Sequence, residues 1–137
     1  MNVINLDHIS AKPLLPEVKK VMIDAIEKDY HNPASQHNSG EKSAALLQDA
    51  RESVARLLNC KTPKEIVFTS GGTESVNHAI KGVAIGMREK GRHIITTNIE
   101  HKSVLNSLRT LRLLDYTVTS LDVDPFGLVD PAEVEAA

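Results

Sequence analysis

An α/β domain entered through two helices is the fold class this sequence predicts, and three observations carry it. Two amphipathic stretches with a helical apolar period come first. From Glu65 onward, short β-branched runs alternate with helical stripes, the order that pairs strands in parallel through right-handed crossovers. No internal repeat and no low-complexity linker interrupts that order.

The elements follow in sequence. Pro16 suits a first helical turn, and "PEVKKVMIDAIEKDY" places Val18, Val21, Met22, Ala25 and Ile26 on one face. "HNPASQHNSG", residues 31–40, gathers Asn, Pro, Ser and Gly and reads as a loop. A second helix is expected next, with Leu47, Ala50, Val54 and Leu57 on its buried face. "EIVFTS", residues 65–70, is short, β-branched and bounded by turn signals, which predicts a first strand. Val76, Ala79, Ile80, Val83, Ala84 and Met87 then form a helical stripe. "GRHIITTN" predicts a second strand, Val104, Leu105, Leu108 and Leu111 a helix, and "YTVTSLDV" a third strand. "DPAEVEAA" opens a last helix, with Asp130 as N-cap and Pro131 at the first position. That helix reaches only about two turns, a marginal length by itself, so the expectation is a chain that forms the front part of a longer protein.

Composition restricts the function classes. The 137 residues carry a formal net charge of -2, with 41% hydrophobic and 25% charged residues, as in one small soluble domain. Aromatics are 3% and Trp is absent, so the core must rest on Leu, Ile, Val and Ala. The chain has no basic stripe and few base-stacking rings, which argues against a nucleic-acid partner. "MNVINLDHIS" lacks the regions of a signal peptide and no stretch is long enough to span a membrane, which gives a cytoplasmic expectation without a membrane partner. Cys60 stands alone and can form no internal disulfide. Its place between a helix and a strand suits packing. His8, His31, His37, His78 and His93 show neither a His-Glu-x-x-His pattern nor cysteine pairing, so no zinc site is expected.

The stretch "TSGGTESVNHAIKG", residues 69–82, carries the chemistry. A strand, two glycines and a helix start leave several N–H groups without internal acceptors, and the helix dipole favours an anion there. Gly71 and Gly72 allow close approach, and Thr73 adds a hydroxyl. A phosphate is the natural occupant. The pattern is neither a Walker loop nor the three-glycine dinucleotide fingerprint, and a plain tight turn capped by Ser70 or Thr73 stays open as the alternative. Glu74, in the first turn, suits the positive end of the dipole. "TTNIEHKSVL" then puts Glu100 and His101 just past the next strand, on the same carboxyl-end side of the sheet. An imidazole beside an anion site suits stacking on a planar, phosphorylated cofactor.

Taken in order, "LDH", "HNPASQH", "EIVFTSGGTESVNHAIKG", "HIITTNIEHKSVL" and "VTSLDVDPFGLVDPAEVEAA" resemble successive blocks of the amino-terminal part of the cysteine desulfurases, class V aminotransferase-like enzymes that use pyridoxal 5'-phosphate. The resemblance covers essentially the whole chain. It implies a partial three-layer sandwich of the pyridoxal-phosphate-dependent transferase type. Residues 1–40 would be an amino-terminal helix and site-side loop, and residues 41–137 the incomplete first part of the cofactor-binding large domain. Gly72 and Thr73 match the pair that binds the cofactor phosphate. His101 matches the histidine that stacks on the pyridine ring and helps proton transfer. Asn32, Pro33, Ser35 and His37 match a loop on the active-site side, with no chemical step assigned.

The implied reaction converts L-cysteine to L-alanine, with sulfur passing to an enzyme cysteine as a persulfide and on to iron–sulfur cluster assembly or another thio-cofactor pathway. The implied partners are L-cysteine, a sulfur-acceptor or scaffold protein and a second copy in a homodimer. The aldimine lysine, the aspartate facing the pyridine nitrogen and the nucleophilic cysteine match no position in these residues, so the chain alone is expected to be inactive. Ser10, Ala11 and Lys12 depart from the family's Ala-Thr-Thr segment. That departure keeps open a related enzyme such as a selenocysteine lyase or an aminotransferase. A naturally short, non-catalytic or split subunit that pairs with a complementary chain is the other alternative.

Overall fold

The computed structural model describes residues 4–10 and 12–137; Ala11, one of the three departing positions, lies outside the described residues. The elements run α1 (Pro16–Lys28), α2 (Asn38–Leu57), a 3₁₀ turn (Pro63–Glu65), α3 (Gly72–Gly86), β1 (His93–Thr97), α4 (Lys102–Arg112), β2 (Thr117–Leu121) and α5 (Pro131–Ala136). They divide into two compact units, Met1–Val67 and Phe68–Ala137.

In the first unit, α1 starts on Pro16 as expected and carries an exposed Lys28–Asp24 pair at 2.5 Å. The loop ahead of α2 folds on itself through local bonds. Asn32 Oδ1 accepts the Ala34 N–H at 2.9 Å, and the Ser35 N–H reaches Asn32 O at 3.0 Å. His31 stacks on Tyr30 at 4.4 Å and meets His37 edge-on at 6.0 Å. His37 is the N-cap of α2, its Nδ1 accepting the Gly40 N–H at 3.2 Å. Ser43, buried, donates to Asp29 O at 3.0 Å and so ties the end of α1 to α2.

Two expectations fail here. Of the face expected to be buried on α2, Val54 is half-buried while Leu47, Ala50 and Leu57 are exposed, and Gly40, Ser43 and Ala55 are the buried positions. The apolar period sets which residues share a face; burial needs an opposing apolar surface, and α2 meets little more than the short 3₁₀ turn. The expected strand at Glu65–Ser70 does not form: Glu65 closes that turn, which is entered through Thr62, and residues 66–69 follow without regular secondary structure. Ile66 is extended and buried, but its carbonyl is taken by the Arg51 guanidinium, and the only ladder among the described residues joins β1 and β2. A β-branched run predicts extension; it does not supply the neighbour that makes a strand.

The second unit follows the expected crossover. β1 and β2 pair in parallel, His93 with Thr117 through Thr97 with Leu121, and α4 connects them. The amphipathic α4 buries Leu108 and Leu111, which form the core with Tyr116 against Ile80, Ala84, Ile94, Val104 and Val118. Tyr116 Oη donates to Ala84 O at 2.7 Å, a carbonyl in the last turn of α3 that has no helical partner. The α3 stripe is thus only partly absorbed. Ala79, Val83 and Met87 remain on the wall of an apolar cavity of about 590 Å³. Beyond β2, Asp124 Oδ1 accepts the N–H groups of Phe126 and Leu128, both at 2.8 Å, around Gly127, whose φ of 83° requires glycine. Asp130 caps α5 as expected, accepting the Ala132 N–H at 2.9 Å.

Candidate functional site

The glycine turn is built by local bonds on both of its sides. Gly71 is the N-cap of α3, with φ 157° and ψ -179°, a conformation suited to glycine. The first helical bond runs from the Ser75 N–H to Gly71 O at 3.0 Å, so the N–H groups of Gly72, Thr73 and Glu74 have no acceptor within the helix. No side chain caps them. Neither Ser70 nor Thr73 therefore plays the capping part that the plain-turn reading required.

Ser70 is held instead by Glu74, whose Oε2 accepts both its N–H and its hydroxyl at 2.6 Å. On the other side, Thr69 Oγ1 and Ser75 Oγ lie 2.6 Å apart, and each hydroxyl reaches Gly71 O at 3.2 Å. A Cβ placed on Gly71 or Gly72 would meet nothing within 4 Å, so the space beside the turn is open to a ligand.

The two bonds from Ser70 hold the Glu74 carboxyl below its ordinary value of 4.5. A lowered carboxyl contributes stability above its unfolded value and loses it as pH falls through the folded one. On titration downward from pH 4.5, the Ser70 amide resonance should move in the wild type and stay flat in Glu74→Gln. A wild-type Ser70 amide that does not respond over that range would break the pairing.

His101 sits at the corresponding place on α4. It is the N-cap, and its Nδ1 accepts the Ser103 N–H at 3.1 Å and lies 2.7 Å from Ser103 Oγ. An accepting Nδ1 leaves the proton of the neutral ring on Nε2, facing away from the helix start. The loop that carries it is anchored by Asn98, which donates to Asp122 Oδ1 at 2.7 Å and to Leu121 O at 3.1 Å, and by Thr97, which donates to Glu100 at 3.0 Å.

Gly72, Thr73 and His101 thus occupy the starts of α3 and α4, two helices that pack on each other. No hydrogen bond among the described residues joins His101 to the glycine turn. Two supports were missed in the sequence: the Ser70–Glu74 clamp, and Ser103 beneath the imidazole. A Ser-x-x-x-Glu spacing across a helix start was the available signal for the first. Asn32 and His37 lie in the loop of the first unit and serve its local bonding.

Open N–H groups, the Thr73 hydroxyl and Cβ-free positions make a donor set that fits a phosphate ester. A ring fixed by its own helix cap fits a planar partner. The family comparison agrees with that chemistry: the aminotransferase class V family matches residues 4–137. The chain belongs to this family. Enzymes of the class V aminotransferase family use pyridoxal phosphate. The chain is 42% identical over 132 residues to cysteine desulfurase IscS of Dictyoglomus turgidum, covering 96% of this chain and 33% of the relative. It is 46% identical over 137 residues to cysteine desulfurase IscS of Stutzerimonas stutzeri, covering 98% and 34%.

Among solved structures, this class V chain superposes on a NifS-like protein with a TM-score of 0.83 at 38% identity, covering 91% of this chain and 34% of that one. It superposes on SspA, solved in complex with cysteine, with a TM-score of 0.82 at 38% identity, covering 93% and 37%. The expected fold, part of the pyridoxal-phosphate-dependent transferase type, is therefore the observed one. The chain spans about a third of the length of the curated relatives it matches. No helix among the described residues is long and apolar enough to cross a membrane.

Proposed function

We propose that this chain supplies the amino-terminal, phosphate-holding part of a pyridoxal-phosphate cysteine desulfurase. The observation that carries the reading is an uncapped, doubly braced glycine turn in a chain matched nearly end to end by cysteine desulfurases. In the proposed reaction L-cysteine and an enzyme thiol give L-alanine and an enzyme persulfide. When bound, pyridoxal phosphate supplies the electron sink that such bond cleavage needs.

The residues of this chain have defined parts in that reading. The N–H groups of Gly72 and Thr73, with the Thr73 hydroxyl, bind the phosphate oxygens and fix the position of the cofactor. His101 lies against the ring face and holds a proton at Nε2, ready for transfer, while Ser103 occupies Nδ1. The lysine that holds the cofactor and the thiol that takes the sulfur come from outside these 137 residues. Cys60 is a packing residue. Residues 1–40 form an amino-terminal helix and site-side loop, and residues 41–137 begin the large domain. The working assembly is a cytoplasmic homodimer that hands sulfur to an acceptor or iron–sulfur scaffold protein.

The test is cofactor retention in the protein purified from its own source. Thr73→Ala should weaken binding about tenfold, the scale of one lost hydrogen bond to a charged group, and His101→Ala about two- to tenfold, the scale of one lost ring stack. His101→Ala should also shift the cofactor absorbance. Wild-type occupancy and an unaltered spectrum in both variants would overturn the site assignment.

A further inference from the structure

We propose that Glu74 is a positioning residue for the cofactor phosphate: by clamping the N–H and hydroxyl of Ser70, it holds the glycine turn in the shape that leaves its N–H groups free for an anion. The inference rests on the reading that this turn binds phosphate.

The geometry departs from the common arrangement at a helix start in an informative way. In a capping box, a glutamate at the third helical position reaches back to the N–H of the N-cap residue and so consumes one of the open donors. Glu74 occupies that third position, with Gly71 as the N-cap, yet its Oε2 binds Ser70, one residue further back. Among the described residues, the N–H groups of Gly71, Gly72, Thr73 and Glu74 are all left without a protein acceptor. Four successive open donors at one bend are available to an anion. The carboxylate that could compete with an incoming phosphate is itself engaged by Ser70.

Such a clamp has a physical purpose at this place. Gly71 and Gly72 have no side chains, and nothing lies within 4 Å of where a Cβ would stand on either. Packing therefore does not define their conformation. Without an anchor the pair would sample many shapes, and a ligand would have to order them as it binds. The Thr69–Ser75 contact braces the bend with neutral hydroxyls. Glu74 braces it through Ser70 with two charge-assisted bonds, the stronger kind.

The test compares pyridoxal phosphate with pyridoxal, which lacks the phosphate, as probes on the native protein after its cofactor is removed. Dissociation constants are read from probe absorbance. Glu74→Ala should weaken pyridoxal phosphate about tenfold while leaving pyridoxal within about twofold, since the contribution lost is the preorganised binding of one charged group. Ser70→Ala should weaken pyridoxal phosphate about threefold, because the main-chain N–H still reaches the carboxylate.

Unchanged or tighter pyridoxal phosphate binding in Glu74→Ala would overturn the clamp, tighter binding meaning that the carboxylate chiefly repels the phosphate. An equal loss for both probes would overturn it as well, by revealing general damage to the fold. The Thr73→Ala variant separates the two readings. If it too binds pyridoxal phosphate as the wild type does, the phosphate site is wrong; if it alone weakens, the site stands and the role of Glu74 falls.

Discussion

Replacing Leu111 by Ala should lower the stability of the Phe68–Ala137 unit by about 2–5 kcal/mol, the range for deleting a fully buried aliphatic side chain. Leu111 is 0% exposed and sits where α4 meets Leu108 and Tyr116, with Ile80, Ala84, Ile94, Val104 and Val118 around them. Truncation removes the dispersion contacts of the leucine and leaves a void among residues of four elements, α3, β1, α4 and β2. Its main-chain carbonyl also accepts the N–H of Tyr116 at 3.2 Å, so the backbone there cannot easily collapse into the space. The measurement is denaturant unfolding of the native protein, with the midpoint falling and the slope unchanged. Leu57→Ala is the control: at 82% exposure it should change stability by no more than about 0.5 kcal/mol. Equal losses in the two variants would contradict this core.

Gly40→Ala should destabilise by about 1–3 kcal/mol, the usual cost of forcing an extra group into a packed site. A Cβ at this position would stand 2.3 Å from Ser35 O, 2.8 Å from Ser35 Cβ and 3.0 Å from Asn32 O. Two of these atoms are main-chain oxygens in a loop already closed by its own hydrogen bonds, so they cannot swing aside as the tip of a long side chain would. The sign makes the experiment decisive. Helix propensity alone favours Ala over Gly by about 1 kcal/mol, so without the steric conflict the variant would gain stability. Gly82→Ala gives the comparison, because a Cβ there, within α3, meets nothing within 4 Å and should raise the melting temperature. A rise in both variants would mean that the 31–40 loop does not press on α2.

Local patterns were legible in the sequence wherever one segment determines the outcome. Pro16, Asp130 with Pro131, and the Leu108 and Leu111 positions of α4 each act within a turn or one helix face, and the structure has them where the sequence predicts. The Glu65–Ser70 run and the outer face of α2 were misread for a common reason: strand pairing and burial depend on a second surface that no periodicity within the segment describes. The candidate site divides in the same way. Two glycines and a hydroxyl at the start of a helix were legible as a turn suited to an anion, although the strand expected ahead of them did not form. The histidine caps at His37 and His101 were hidden, because histidine is not among the residues that usually cap helices.

The parallel pairing of β1 with β2 also fixes an order in time. Each partner is distant in sequence, His93 against Thr117, and the intervening chain must first traverse α4. A helix of that kind relaxes in about 0.1–1 μs, whereas a non-local ladder forms only after the loop entropy has been overcome. The imidazole of His101 is therefore held in its final position only once that ladder has closed and Asn98 has met Leu121 and Asp122. Under the proposed function, cofactor capture by this face would be a late event in the life of the newly made chain.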